Sequence, residues 1–186
     1  MKKWIFIGIL IIVMVIVFCG IIGQTKNNDK EAFSKTEAID LLGKKYEEAI
    51  KLYDISSEYF DIDEEYETID GVQYYKIKNY ETVLRDNFSE EVFKDFEEKA
   101  TCLVIIDKKP YLAEGGRGFS TYAGVEEFKD ITITNNKITA IVKTKHNDMD
   151  GNFFEYKEST FSIIKNGDNW IINEFNFNDV NNANID

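Results

Sequence analysis

Histidine, cysteine and proline are scarce in this chain: His146 is the only histidine, Cys19 and Cys102 the only cysteines, and Pro110 the only proline among 186 residues. This scarcity excludes a metal centre built from a cluster of His and Cys. It also excludes a disulfide within the polar part of the chain, where Cys102 stands alone. A Cys–His nucleophile pair has only Cys102 and His146 to draw on. Cys102 lies in the apolar run Thr101-Cys102-Leu103-Val104-Ile105-Ile106, and an apolar setting disfavours the reactive thiolate. No G-x-S-x-G string is present. Basic residues are short as well, with 22 Lys and Arg against 34 Asp and Glu, a net charge of −12. Setting aside Lys2 and Lys3 leaves 20 bases against the same 34 acids, a charge near −14. Such a body is repelled by nucleic acid and by anionic lipid headgroups, and a cationic partner suits it better. Nothing is low-complexity or repeated, and 14% aromatic residues argue against disorder.

What the chain does have is one long apolar run. Residues 4–23 carry no charge and, glycines aside, are all apolar, with Lys2 and Lys3 just before them. About 20 apolar residues suffice for a helix to cross a bilayer. The stretch also resembles a secretory signal, but no small-x-small cleavage pattern follows it. A lipoprotein signal places a small residue directly before its cysteine, and Phe18 precedes Cys19. Residues 1–23 are therefore expected to be an uncleaved membrane anchor, with a secreted or lipoprotein form as the alternatives. The flanking charge is only weakly asymmetric, and the short head is expected to stay inside with the rest outside. Residues 24–33 then form a linker, residues 34–178 one domain and residues 179–186 a frayed tail. About 160 residues beyond the anchor are enough for a single real core.

Within the domain, Ser34 and Glu37 form an S-x-x-E capping box, with Phe33 placed to staple against Ala38. Ala38, Leu41, Leu42, Tyr46, Ala49, Ile50 and Tyr53 then draw one stripe along a helix that ends near residues 54–57. Between Lys51 and Lys76 there is no basic residue, while Asp54, Glu58, Asp61, Asp63, Glu64, Glu65, Glu67 and Asp70 alternate with tyrosines and Phe60. Asp70-Gly71 predicts a hairpin turn between residues 66–69 and 72–77. Residues 79–100 predict two short helices broken near Asn87, the second capped by Ser89. From Cys102 onward the pattern is β, with strands expected at 102–106, 128–134, 137–145, 152–165 and 169–177. Ile138, Ala140 and Val142 alternate with Thr139 and Lys143, which marks a strand with one wet face. Asn135-Asn136, Asp150-Gly151 and Asn166-Gly167-Asp168 supply the turns. The expected fold class is α+β: N-terminal helices packed on an antiparallel meander, the element order of cystatin-like and nuclear-transport-factor-like domains.

Two strings imitate known sites and fail. Taking Gly151 as the sixth position of a calcium loop puts His146 first and Lys157 twelfth, where carboxylates are required. Gly115-Gly116-Arg117-Gly118 lacks the Lys-Ser/Thr of a phosphate-binding loop and reads as a mobile loop. It is still flanked by Tyr111, Phe119 and Tyr122, residue types favoured at interfaces. A carboxylate pair at glycosidase spacing is conceivable in so acidic a chain, yet no pair stands out. No catalytic residue, cofactor or metal ligand is expected.

The order Asp70-Gly71-Val72-Gln73-Tyr74-Tyr75, Leu84, Phe88-Ser89 with Phe93, Lys108-Lys109-Pro110-Tyr111, Glu114-Gly115-Gly116-Arg117-Gly118 and then Phe161 through Asn166-Gly167-Asp168-Asn169-Trp170-Ile171-Ile172 resembles the bacterial D,L-endopeptidase inhibitors of the IseA type. The resemblance spans roughly residues 34–177 and implies a non-catalytic cell-wall protein. It would bind and occlude cysteine-type peptidoglycan D,L-endopeptidases and so restrain autolysis. Comparable members are secreted, whereas an anchor here would hold the inhibitor at the cell membrane, facing the inner edge of the wall. The expected contact surface is the acidic run, with Tyr59, Asp61, Asp63, Glu64, Glu65 and Tyr66, and the loop with Glu114, Arg117 and Tyr122. The alternative from another class is an extracytoplasmic ligand-binding module with an apolar pocket under a curved sheet.

Overall fold

The computed structural model describes residues 33–100, 102–114, 121–148 and 150–180. The expected anchor, Cys19, most of the linker, Arg117 with its glycine-rich loop, and the last residues of the tail lie outside the described residues. Among the described residues no helix is long and apolar enough to cross a membrane.

Helix α1 (Lys35–Tyr53) begins at the expected capping box. The Glu37 amide donates to the Ser34 hydroxyl at 3.2 Å, and the Ser34 amide donates back to the Glu37 carboxylate at 2.9 Å. These bonds hold the Glu37 carboxyl below its ordinary pKa, with the Ser34 side chain the main cause. The ring of Phe33 meets Trp170 edge-on at 5.5 Å. The buried stripe is Ala38, Leu42, Tyr46, Ala49, Leu52 and Tyr53. The helix stops at Asp54, and Ile55 follows at φ 47° with its side chain fully buried. A β-branched residue in the left-handed region is strained, and burial of the isoleucine holds it there.

Strands β1 (Ile62–Ile69) and β2 (Val72–Ile77) form the hairpin around Asp70-Gly71, both at positive φ. Helices α2 (Tyr80–Asn87) and α3 (Glu90–Lys99) follow, broken where expected. Phe88 is extended there and makes a lone bridge to Ile172, while the Ser89 amide donates to the Ile172 carbonyl at 2.8 Å. The break therefore stitches the helices to the last strand.

The next segment departs from expectation. Strand β3 (Leu103–Ile106) turns through Asp107 and Lys108, at φ 49° and 63°, into an unexpected strand β4 (Lys109–Ala113). Strand β4 also pairs with β2, so a four-stranded antiparallel sheet forms in the order β1-β2-β4-β3. The expected meander is a second sheet, β5 (Tyr122–Ile133), β6 (Lys137–Asn147), β7 (Phe153–Asn166) and β8 (Asn169–Glu174), in sequential order. The described residues are thus α+β with three α-helices and two four-stranded sheets, where one sheet was expected. β5 begins six residues before the expected 128, and β8 ends before Phe175.

The helices lie on one face of the second sheet, and the core lies between them. β6 alternates strictly, with Ile138, Ala140, Val142, Thr144 and His146 turned inward. Tyr46 of α1 meets Phe161 edge-on at 5.0 Å and Phe175 at 5.2 Å. Phe175 in turn packs on Phe177 at 4.9 Å. The domain does not end at 178: Asp179 and Val180 are buried, held by a short 3-10 turn over Phe177–Asp179. The phenylalanines and Val180 pin this stretch despite its many asparagines.

Candidate interaction surface

The acidic run becomes the lead-in to β1 and β1 itself. Tyr59 packs partly against the core, which leaves it less available than expected. Its hydroxyl pKa is raised by burial and then by Glu48 and Glu58. The Asn79 side chain anchors the lead-in: its amide nitrogen donates to the Tyr59 carbonyl at 3.0 Å, and its oxygen accepts from the Asp61 amide at 2.8 Å.

Two lysines that flank the run partly neutralise it. Lys51 pairs with Glu58 at 2.7 Å, and Lys78 pairs with Asp63 at 3.4 Å. Between them, Glu64, Glu65 and Glu67 point into solvent, and among the described residues no ion pair reaches any of the three. Glu67 accepts a hydrogen bond from the Tyr111 hydroxyl at 3.3 Å. Tyr66 is 51% exposed and faces Tyr75 across the hairpin at 5.6 Å. The expected cluster Asp61, Asp63, Glu64, Glu65 and Tyr66 is therefore carried by one exposed strand and its lead-in, with Asp63 its most compensated member.

The second expected patch is not assembled in the same way. Glu114 lies beyond β4, and its amide donates to the Gln73 carbonyl at 2.9 Å, which joins it to the same sheet. Tyr122 belongs to the other sheet and turns toward the core, 6.3 Å from Tyr46. Burial, then Glu47, raises its hydroxyl pKa to about 12. Tyr122 is half-buried, which leaves less of it available for contact than expected. It starts an inward-facing row of β5 with Val125 and Phe128, all packed on the core.

The groups considered for chemistry are enclosed. His146 is fully buried, with Nδ1 3.0 Å from the Thr121 hydroxyl and Nε2 3.0 Å from the Thr144 hydroxyl. Burial first, then Lys157, lowers its pKa, against smaller opposing effects of Asp179 and Glu155. Cys102 is also buried. The turn near Asp148 is a side-chain-capped hairpin turn: the Asp148 carboxylate accepts from the Asp150 and Asn152 amides at 3.0 and 2.8 Å. Among the described residues no group of three or more His, Cys, Asp and Glu is placed to hold a metal ion. Aromatic rings pack against one another beneath the second sheet, where the alternative reading put an apolar pocket. An open groove of about 560 Å³ is lined by Glu91, Asp95, Lys137, Asn173, Glu174 and Phe175 with Val92.

The chain matches no protein-family model, and no curated protein matches it.

Proposed function

We propose that this chain is a membrane-anchored, non-catalytic inhibitor that binds and occludes cell-wall D,L-endopeptidases, with its domain outside the membrane. The observation that carries this reading is the outward row Glu64, Glu65 and Glu67 around exposed Tyr66, which has no ion-pairing cation among the described residues. Charge of one sign on an exposed strand steers an oppositely charged partner and raises the association rate. A large aromatic ring at its centre suits an interface anchor. Enzymes that grip the anionic polymers of the wall often present basic surfaces and so complement this row. Enclosure of His146 and Cys102 supports occlusion rather than turnover as the mode of action. The finer fold assignment, a cystatin-like or nuclear-transport-factor-like order, belongs to the same proposal and rests on the helices lying against the β5–β8 meander.

The test is turnover of a muropeptide by a purified D,L-endopeptidase with the full chain, kept in mild detergent, added at micromolar concentration. Inhibition without any hydrolysis by the chain itself is the expected result. Unchanged turnover across a panel of such enzymes removes the proposal.

A further inference from the structure

Among the described residues, β1 is the outermost strand of the first sheet. Its turn residues Asp70 and Gly71 both sit at positive φ, so the flanking pair Ile69 and Val72 exchanges hydrogen bonds across the hairpin. Antiparallel ladders alternate, and the N–H and C=O groups of Thr68 and Tyr66 must then face away from β2. The partner strand shows the same alternation. Gln73 pairs opposite Thr68, and its carbonyl is turned outward to accept from Glu114 at 2.9 Å. The register breaks between Ile62 and Tyr66, which confines the regular open edge to the part of β1 nearest the turn.

We propose that this open edge of β1 takes up an extended, basic segment of the partner protein as a fifth strand of the first sheet. The inference deepens the inhibitor reading and rests on it. An exposed edge is a template for another chain, and main-chain hydrogen bonds supply affinity that side chains then make selective. Here the selecting side chains are Glu67 on one face and Tyr66 on the other, with Glu64 and Glu65 exposed in the irregular stretch just before them. A guest with Lys or Arg at alternate positions sets opposite charges across the new ladder and brings a cation near the Tyr66 ring. A second copy of β1 is disfavoured in the same place because the registers that pair Glu65 or Glu67 with Glu67 set like charges together. The charge row thus serves two ends, disfavouring self-pairing and admitting a basic strand.

The experiment uses the full chain in mild detergent and two probes: an acetylated, amidated octapeptide of alternating Lys and Thr, and the same peptide N-methylated at every second residue. The two have equal charge, but only the first can form a strand ladder. Hydrogen exchange followed by mass spectrometry is expected to slow in residues 62–69 with the first peptide, and the N-methylated form is expected to bind about tenfold more weakly. Thr68→Pro removes one outward amide at a position where an edge strand accepts proline. It is expected to weaken the first peptide about fivefold. Should that variant disturb the fold, the comparison of the two peptides decides alone. Equal binding of both peptides, protection outside residues 62–69, or no binding at millimolar peptide overturns strand addition. Intact endopeptidase inhibition alongside any of these outcomes leaves the inhibitor reading standing, whereas protected β1 without inhibition removes that reading and keeps strand addition.

Discussion

The two sheets are built from the same number of strands and serve opposite ends. In the second sheet, β6 is buried at every other residue, and its inner face is capped by α1 and sealed with Tyr46, Phe161 and Phe175. In the first sheet, six consecutive residues of β1 are exposed, and only the end near Ile77, Leu103 and Leu112 joins the core. Burial of apolar area is the dominant favourable contribution to folding. The second sheet therefore holds the domain together, and the first is carried by it. A strand that contributes little burial is free to hold residues chosen for something other than stability.

The largest effect that sharpens this contrast is expected from Phe161→Ala. The ring is fully buried against Tyr46 and Phe175, and its loss should cost about 3–5 kcal/mol in chemical denaturation. Tyr66→Ala should change stability by no more than about 0.5 kcal/mol. Equal losses at the two sites would erase the distinction between the sheets.

Acid should act on the second sheet next. The folded state keeps His146 neutral at pH values where the unfolded chain, with a pKa of about 6.5, takes up a proton. Stability is then full above that value and falls as pH drops below it, because the unfolded state binds more protons. A melting temperature that declines between pH 7 and 5.5, and declines less in His146→Gln, is the expected record.

A smaller gain is expected in the first sheet. Lys108 adopts φ 63° in the β3–β4 turn, and Lys108→Gly should relieve roughly 1 kcal/mol of left-handed strain, raising the melting temperature. The least effect on stability should come from reversing Asp63, Glu64 and Glu65 to Lys, within about 0.5 kcal/mol apart from the Lys78 pair. That triple change should instead slow association with the endopeptidase, most visibly at low salt, as stopped-flow mixing would show.

Much of this plan was legible in the residues. Ser34 and Glu37 announced α1, Asp70-Gly71 announced the first hairpin, and the alternation of Ile138, Ala140 and Val142 announced β6. Strand β4 was hidden because its turn is Asp107-Lys108, which lacks the glycine that signals such turns, and because Pro110 argues against a strand. Without β4, the first hairpin had no sheet to join. The buried end of the chain was masked by its asparagines, although Phe175 and Phe177 carried the signal. At the surface, the acids emerged as read, but Lys51 and Lys78 approach through the fold, and no linear spacing reveals that they close on Glu58 and Asp63. The partial burial of Tyr122 was hidden for a similar reason, since β5 begins before the expected 128.

Asn79 carries a consequence of its own. It stands at the N-terminus of α2, yet both ends of its amide grip the chain leading into β1. The path of the chain into the acidic hairpin is thereby fixed in part from the helical layer. Removing that one carboxamide would loosen the lead-in while the pairing of β2 with β4 still holds the hairpin and every glutamate stays in the chain, so the footing of this surface and its charge are separable properties.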